Sequence, residues 1–479
     1  MSGCVRQLLG GTILGAVLVA SAPGYAESLW SDPLRAMGEV SDNPARTPMT
    51  AGSSCTLAAQ PQNPLSLLDA IESALCRNPQ TRQAWANVKE QAAAVGASRA
   101  AYLPTLTASG SWSKASSRTK YADYPQENST RKVHSREANL NLSWVLYDFG
   151  LRSANLENAR QLLNAANATQ DDTLQTVFLN TVQSFYEAQA GQALLTATTE
   201  AEQAAAESFK ASEAKYRAGA GTQADKLQAQ TSFAQASLKR AQAAGELQSA
   251  LGSLAIVMGL RPDTPLTLAA LGDAPDAPLL QQAVNDLIDD AVRTHPKLLA
   301  AKAQLKAAQA HIDATRAEGK PTLSLFATGD YSDTPITQET SLDTTINSRS
   351  IGVRINIPLY DGFSTKYKVR GAEAQAESKE AELANVEQQV MLDVWKSNQA
   401  LRTEAENLKS TDILLRSARQ SFDVAKGRYK AGVGNILELL KAQSDLASAQ
   451  QQRILSLTNW QTARLRLAAS LGRLQTDVI

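Results

Sequence analysis

The residue types that most often do chemistry are sparse in this chain: three histidines and three cysteines among 479 residues. His134 lies in a polar stretch, His295 precedes a proline, and His311 stands alone on a predicted helix, so no metal-site spacing appears. Two Gly-x-Gly phrases begin at Gly219 and Gly432, but each follows a helix rather than a strand and lacks the third glycine of a nucleotide loop. They read as turns. No catalytic residue, metal or cofactor is expected, and the chain reads as a non-enzyme.

The cysteines carry a different message. Cys4 precedes an apolar run from Leu8 to Ala22, with Arg6 ahead of it and the small residues Gly24 and Ala26 behind. That is the form of a secretory signal peptide over 1–26. Export places Cys55 and Cys76 in an oxidising compartment, where a disulfide between them is expected. Lys+Arg and Asp+Glu both number 47, so no positive field recruits nucleic acid.

The glycine turns belong to text written twice. YRAGAGTQADKLQAQ at 216–230 answers YKAGVGNILELLKAQ at 429–443, an offset of 213. LYD at 146–148 answers LYD at 359–361 at the same offset, and RNPQTRQAWANVKEQ at 77–91 answers THPKLLAAKAQLKAA at 294–308 at 217. After an N-terminal segment, 27–65, the first repeat spans 66–259: a helix from Ser66 to Ala101, a β-hairpin at 102–148, a long helix at 150–218 and a helix at 222–259. A linker, 260–282, leads to the second repeat, 283–473: a helix from Val284 to Glu318, a β-hairpin at 321–361, a long helix at 362–431 and a helix at 435–472. The long helices contain no proline and are rich in strong helix formers. At ~100 Å each, they must pack side by side as coiled coil. Leu174, Val177, Phe178, Val182, Phe185 and Tyr186 recur at three- and four-residue spacing and are expected to form packing core.

The hairpins alternate strictly. Leu106, Ala108, Gly110 and Trp112 share one strand face, as do Leu140, Leu142 and Trp144. Leu323, Leu325, Ala327 and Tyr331 repeat the pattern, followed by Ile351, Val353, Ile355, Ile357 and Leu359. Strands of about ten residues, apolar on one side and polar on the other, match transmembrane β-strands, with Trp112, Trp144 and Tyr331 near strand ends as interface aromatics. The polar stretches 116–135 and 332–350 are expected as exterior loops. Four strands cannot close alone, so the chain must oligomerise; two copies give a filled barrel and three leave a lumen.

The duplication, the LYD phrase where strand meets long helix, and the Tyr-x-x-Gly turns together resemble the TolC family of outer-membrane exit ducts, over nearly all of the mature chain. The resemblance implies a mainly α fold with membrane β: a homotrimer whose twelve-stranded β-barrel in the outer-membrane lipid continues into a twelve-helix periplasmic α-barrel. It also implies an inner-membrane ABC transporter and a periplasmic adaptor (membrane fusion protein) as partners, with an exported substrate passing through. The cysteine pair and the ALCRNP phrase resemble the branch serving type I protein secretion, as in the adenylate cyclase toxin duct. Drug or metal efflux is the alternative within that class, and a periplasmic coiled-coil scaffold or adaptor the alternative outside it.

By the same resemblance, Tyr429 stands where a tyrosine bolts the closed periplasmic mouth, and its hydroxyl is expected to make the contact. Asp225 resembles an acid of the first hairpin, and Glu438 replaces one of two constriction aspartates. Lys441 occupies the other aspartate's place and is expected to offset Glu438; Gly434 stands where some members carry arginine. Gly219, Gly221, Gly432 and Gly434 form the tip turns. Thr222 with Asp225, and Asn435 with Glu438, have capping-box spacing, a structural role that competes with gating for both acids.

Overall fold

A computed structural model describes residues 32–45, 55, 64–269, 284–337 and 342–472. The expected leader, most of the 27–65 segment and linker residues 270–282 lie outside the described residues. Each repeat contributes two short helices, a β-hairpin, a long helix and a return helix. In the first, these are α1 (Leu67–Arg77), α2 (Pro79–Ala100), β1 (Thr105–Thr119), β2 (Ser129–Tyr147), α3 (Leu151–Arg217) and α4 (Gln223–Val257). In the second they are α5 (Val284–Thr294), α6 (Pro296–Glu318), β3 (Thr322–Thr337), β4 (Leu342–Asn356), α7 (Ser364–Lys430) and α8 (Ile436–Ser470).

The opening helix of each repeat, expected as one piece, is two. The break falls before Pro79 and Pro296, because proline excludes the helical conformation from the residue ahead of it while suiting the first position of a new helix. Asn78 and His295 occupy the break and cap the new helix: the Asn78 side-chain oxygen accepts from the Gln80 N–H at 2.8 Å, and His295 Nδ1 accepts from the Lys297 N–H at 3.2 Å. Each break is also where the return helix of its own repeat arrives. The Asn78 side chain donates to the Val257 carbonyl at 2.9 Å at the end of α4, and Gly472, beyond α8, abuts His295. Thus α4 and α2 stack end to end, as do α8 and α6. Four tracks result, in the order α4+α2, α3, α8+α6, α7.

The two long helices are each 67 residues, about 100 Å. Leu174, Val177, Phe178, Val182 and Phe185 are buried along α3 against α1, α8 and the start of the linker, with Tyr186 partly so. Phe178 is fully enclosed, and burial of such a side chain contributes about 2–3 kcal/mol. The second repeat rebuilds this core from Leu287 and Ala291 of α5 against Val390 and Val394 of α7. The linker begins as packed structure, since the Leu65 N–H donates to the Thr267 carbonyl at 2.8 Å and Leu266 and Leu268 are buried.

The hairpins form one antiparallel sheet in the order β1-β2-β3-β4. Its register aligns Leu106, Leu142, Ala327 and Ile351 across all four strands, and Thr107, Asn141, Thr328 and Ser350 one position away on the other face. The strands run well beyond the expected ten residues, to 15 and 19 in the first hairpin. Most of 116–135 is therefore strand rather than loop. Serine and threonine continue the alternation there without an apolar partner, so the pattern loses contrast while the ladder continues. Trp112 and Tyr331 consequently lie mid-strand, and Trp144 lies near the inner end of β2, donating to the Tyr102 carbonyl at 2.9 Å.

The LYD phrases mark the corners where sheet becomes long helix. Phe149 and Phe363 adopt left-handed φ values of 52° and 66°, a conformation costing a side-chain-bearing residue about 1 kcal/mol or more. The preceding aspartates hold these corners. Asp148 accepts from the Arg152 N–H at 3.1 Å and its guanidinium at 2.7 Å, and Asp361 accepts from the Thr365 N–H at 2.7 Å.

His295 makes one track joint acid-sensitive. Burial first, and the charge of Lys297 second, push its pKa down to about 4, against the opposing pull of Asp393. Protonation would also turn Nδ1 from acceptor into donor and destroy the cap. The unfolded chain therefore binds more protons between about pH 6.5 and 4, so stability falls as pH drops through that window, by up to about 3 kcal/mol. His295→Asn, which copies Asn78, should remove most of that loss while keeping the cap; comparing thermal unfolding of the two proteins at pH 7 and pH 4.5 measures it.

Candidate functional site

The tips opposite the sheet gather the residues singled out from the repeated phrase. Both turns are built alike. The Ala220 N–H donates to the Lys215 carbonyl at 2.9 Å and the Gly219 N–H to that of Tyr216 at 3.0 Å. Val433 to Arg428 at 3.1 Å and Gly432 to Tyr429 at 3.2 Å repeat the arrangement, satisfying the last helical carbonyls through a left-handed residue. Gly219 and Gly432 supply that residue, with φ of 70° and 79°. Gly434 has a steric role instead: a Cβ there would lie 2.9 Å from the Tyr429 nitrogen and 3.0 Å from the Arg428 carbonyl carbon. An arginine does not fit this backbone. Gly221 is tight in the same way, 3.2 Å from the Lys215 Cβ.

The two capping sequences diverge. Thr222 and Asp225 form the reciprocal box, with Asp225 N–H to Thr222 Oγ1 at 3.1 Å and Thr222 N–H to Asp225 Oδ2 at 3.2 Å. Asn435 caps α8 alone, accepting from the Leu437 N–H at 3.0 Å. The expected box with Glu438 is not formed; Glu438 leans across the hairpin to Arg428, Oε1 to Nε 3.7 Å. Lys441 does not offset Glu438 either. Its ammonium pairs with Asp445 one turn on, at 2.6 Å. Each acid of the second tip thus has its own cation, and these exposed pairs set local charge more than stability.

Tyr429 is buried among Ala425, Ile436, Leu439 and Leu440 of its own hairpin. Its link to the first hairpin runs through the ring rather than the hydroxyl. Lys215 Nζ sits 3.8 Å from the ring centroid and donates to the Tyr429 carbonyl at 3.4 Å. Burial first and the Asp225 carboxylate second raise the phenol above its ordinary pKa, so it stays neutral. The equivalent Tyr216 is exposed. Lys215 was missed in the sequence because its counterpart, Arg428, serves a different partner; the one signal was a basic residue preceding both tyrosines.

Above the tips, α2, α3, α6 and α7 share a concave polar groove of about 1010 Å³, lined by Asn87, Asn158, Thr169 and Gln304 among others. His311 opens onto it, whereas His134 is in β2 and His295 at the track joint. Among the described residues, no group of His, Cys, Asp or Glu could hold a metal ion, and no helix is long and apolar enough to cross a membrane. Cys55 and Cys76 are joined by a disulfide, their Cα atoms 5.5 Å apart, which ties the N-terminal segment to α1.

If the ring carries the contact between hairpins, then Lys215→Met and Tyr429→Leu should each speed hydrogen exchange at the Gly432 and Val433 amides about fivefold, the equivalent of ~1 kcal/mol. Tyr429→Phe should change it less than about twofold. Equal acceleration in the Phe variant would return the contact to the hydroxyl.

Comparison with known proteins matches the geometry. The model of a family described as "Outer membrane efflux protein" matches residues 70–260 and 287–473, one segment in each repeat. The chain is 33% identical to Protein CyaE of Bordetella pertussis over 89% of its own length and 88% of that protein's. It is 25% identical to the alkaline protease secretion protein AprF of Pseudomonas aeruginosa, over 85% and 84% of the two chains. Among solved structures, the outer-membrane channel OprN superposes with a TM-score of 0.70 at 20% identity, covering 90% of this chain and 98% of that one.

Proposed function

The chain belongs to the outer membrane efflux protein family, and from that membership we propose that it works as the trimeric exit duct of a type I protein secretion system. As a member it is an outer-membrane protein extending into the periplasm, with the fold of a transport channel. The observation that carries the proposal is the four-stranded sheet. Leu106, Leu140, Ile351, Val353 and Ile355 make an apolar face that nothing among the described residues covers, each of the five 48% exposed or more. In water such a face is a liability; in lipid it is the lowest-energy arrangement.

Among the described residues both outer strands present unpaired backbone edges, since β1 pairs with β2 alone and β4 with β3 alone. Three copies would join β4 of one to β1 of the next, closing twelve strands with the polar Thr107–Asn141–Thr328–Ser350 row lining a lumen. The four helix tracks would close at the same time into twelve. The concave polar groove then forms the tunnel wall, and the tips form the mouth. A coiled-coil scaffold or adaptor has no use for the apolar sheet face, which favours the duct.

Within the duct class, protein secretion is favoured by the relatives. AprF, named for secretion of alkaline protease, matches at 25%, level with relatives named for toluene, solvent or antibiotic efflux at 25–26%; the cysteine pair and the ALCRNP phrase, which resemble the secretion branch, together with the 33% match to CyaE, turn the reading to secretion. An inner-membrane ABC transporter and a periplasmic adaptor are the proposed partners, meeting the duct at the tips.

Deleting the chain from its own cells should remove at least one large protein from the culture medium and leave tolerance to dyes, solvents and antibiotics within about twofold. Unchanged medium proteins with a sharp loss of tolerance would establish efflux instead.

A further inference from the structure

We propose that the outward face of the sheet, above its apolar belt, binds the phosphate-bearing headgroups of outer-leaflet lipid; this rests on the membrane-spanning reading of the sheet. The upper margin of the belt is defined strand by strand. The last apolar outward residues are Trp112 on β1, Ala138 on β2, Tyr331 on β3 and Ile351 on β4. Ala138 and Tyr331 are in register, Trp112 faces Arg136 one outward row higher, and Ile351 faces Ala327 two outward rows lower. The margin therefore climbs obliquely across the sheet, as it must when strands are tilted in a flat bilayer.

The first outward residue beyond that margin is Lys114 on β1, Arg136 on β2, Asp333 on β3 and Arg349 on β4. Farther out on the same face come Lys132 and Arg118, with His134 opposite Lys114. The four strands hold seven lysines and arginines, of which five take outward positions; only Arg131 and Arg354 face inward. Among the residues whose side chains are described, Asp333, opposite Arg136, is the outward acid. Among the described residues no ion pair involves Lys114, Lys132, Arg136 or Arg349.

Charges placed only for solubility would favour the water-filled face, yet the inward side at these levels is largely serine and threonine. Sorting cations to the lipid side, in a band starting where the apolar belt stops, puts them at headgroup depth. There Lys and Arg gain from anionic lipid, and guanidinium matches phosphate oxygens two at a time. Trp112 and Tyr331, at the belt's edge, mark the same interface.

The test uses the full-length assembly in a neutral detergent, titrated with fluorescent lipid A and with the same lipid stripped of its phosphates. The native protein should prefer the phosphorylated lipid by roughly 600-fold, from about fivefold for each of the four cations of β1 and β2, with affinity falling as salt rises. The variant K114S/R118S/K132S/R136S should lose that preference. Equal binding of both lipids by the native protein, or undiminished preference in the variant, would overturn the proposal. Leu140→Cys separates the two readings in vesicles: labelling by a membrane-impermeant maleimide would refute the spanning sheet itself. Protection of Leu140→Cys without phosphate preference would refute the headgroup site alone.

Discussion

Backbone hydrogen bonding in hydrocarbon is the constraint on which this molecule turns. A sheet with an apolar face can enter lipid only if its edges are paired, because each unmet N–H or carbonyl there costs several kcal/mol. The described residues leave two such edges, on β1 and β4, each 15 residues long. On the membrane-spanning reading proposed above, self-association becomes part of the fold, and the proposed trimer meets the requirement with a channel left open inside. In that proposed assembly the helices would take up the same symmetry through the LYD corners, where an aspartate fixes the direction in which each long helix leaves the sheet.

Duplication supplied the parts and divergence assigned their duties. The track joints use Asn78 in one repeat and the titratable His295 in the other, with the same capping geometry. The tips share one turn, but Lys215 reaches over to Tyr429 whereas its counterpart Arg428 turns to Glu438 within its own hairpin. Backbone architecture has been kept twice while side-chain partnerships were redistributed. If the tips form the proposed mouth, that asymmetry gives its two hairpins different work.

Most of the architecture was legible because periodicity reports burial directly. Strict alternation identified the sheet face, and proline-free runs identified the long helices. Two misreadings came from local rules passed over or carried too far. Pro79 and Pro296 announce the helix breaks, and the serine-rich ends of β1 and β2 continue as strand without apolar contrast. The tip was legible in backbone and illegible in charge. Spacing pointed to Gly219, Gly432 and Thr222 as turn and cap residues, whereas Glu438, Lys441 and Lys215 find partners within a hairpin, along a helix and across hairpins, which only packing decides.

The central claim is that the open sheet edges find each other on neighbouring copies. Native mass measurement of the folded particle released from membranes in mild detergent tests it most directly. The account predicts three chains, held until heating separates them. A stable monomer or dimer would leave β1 and β4 unpaired or enclose no lumen, and would contradict it.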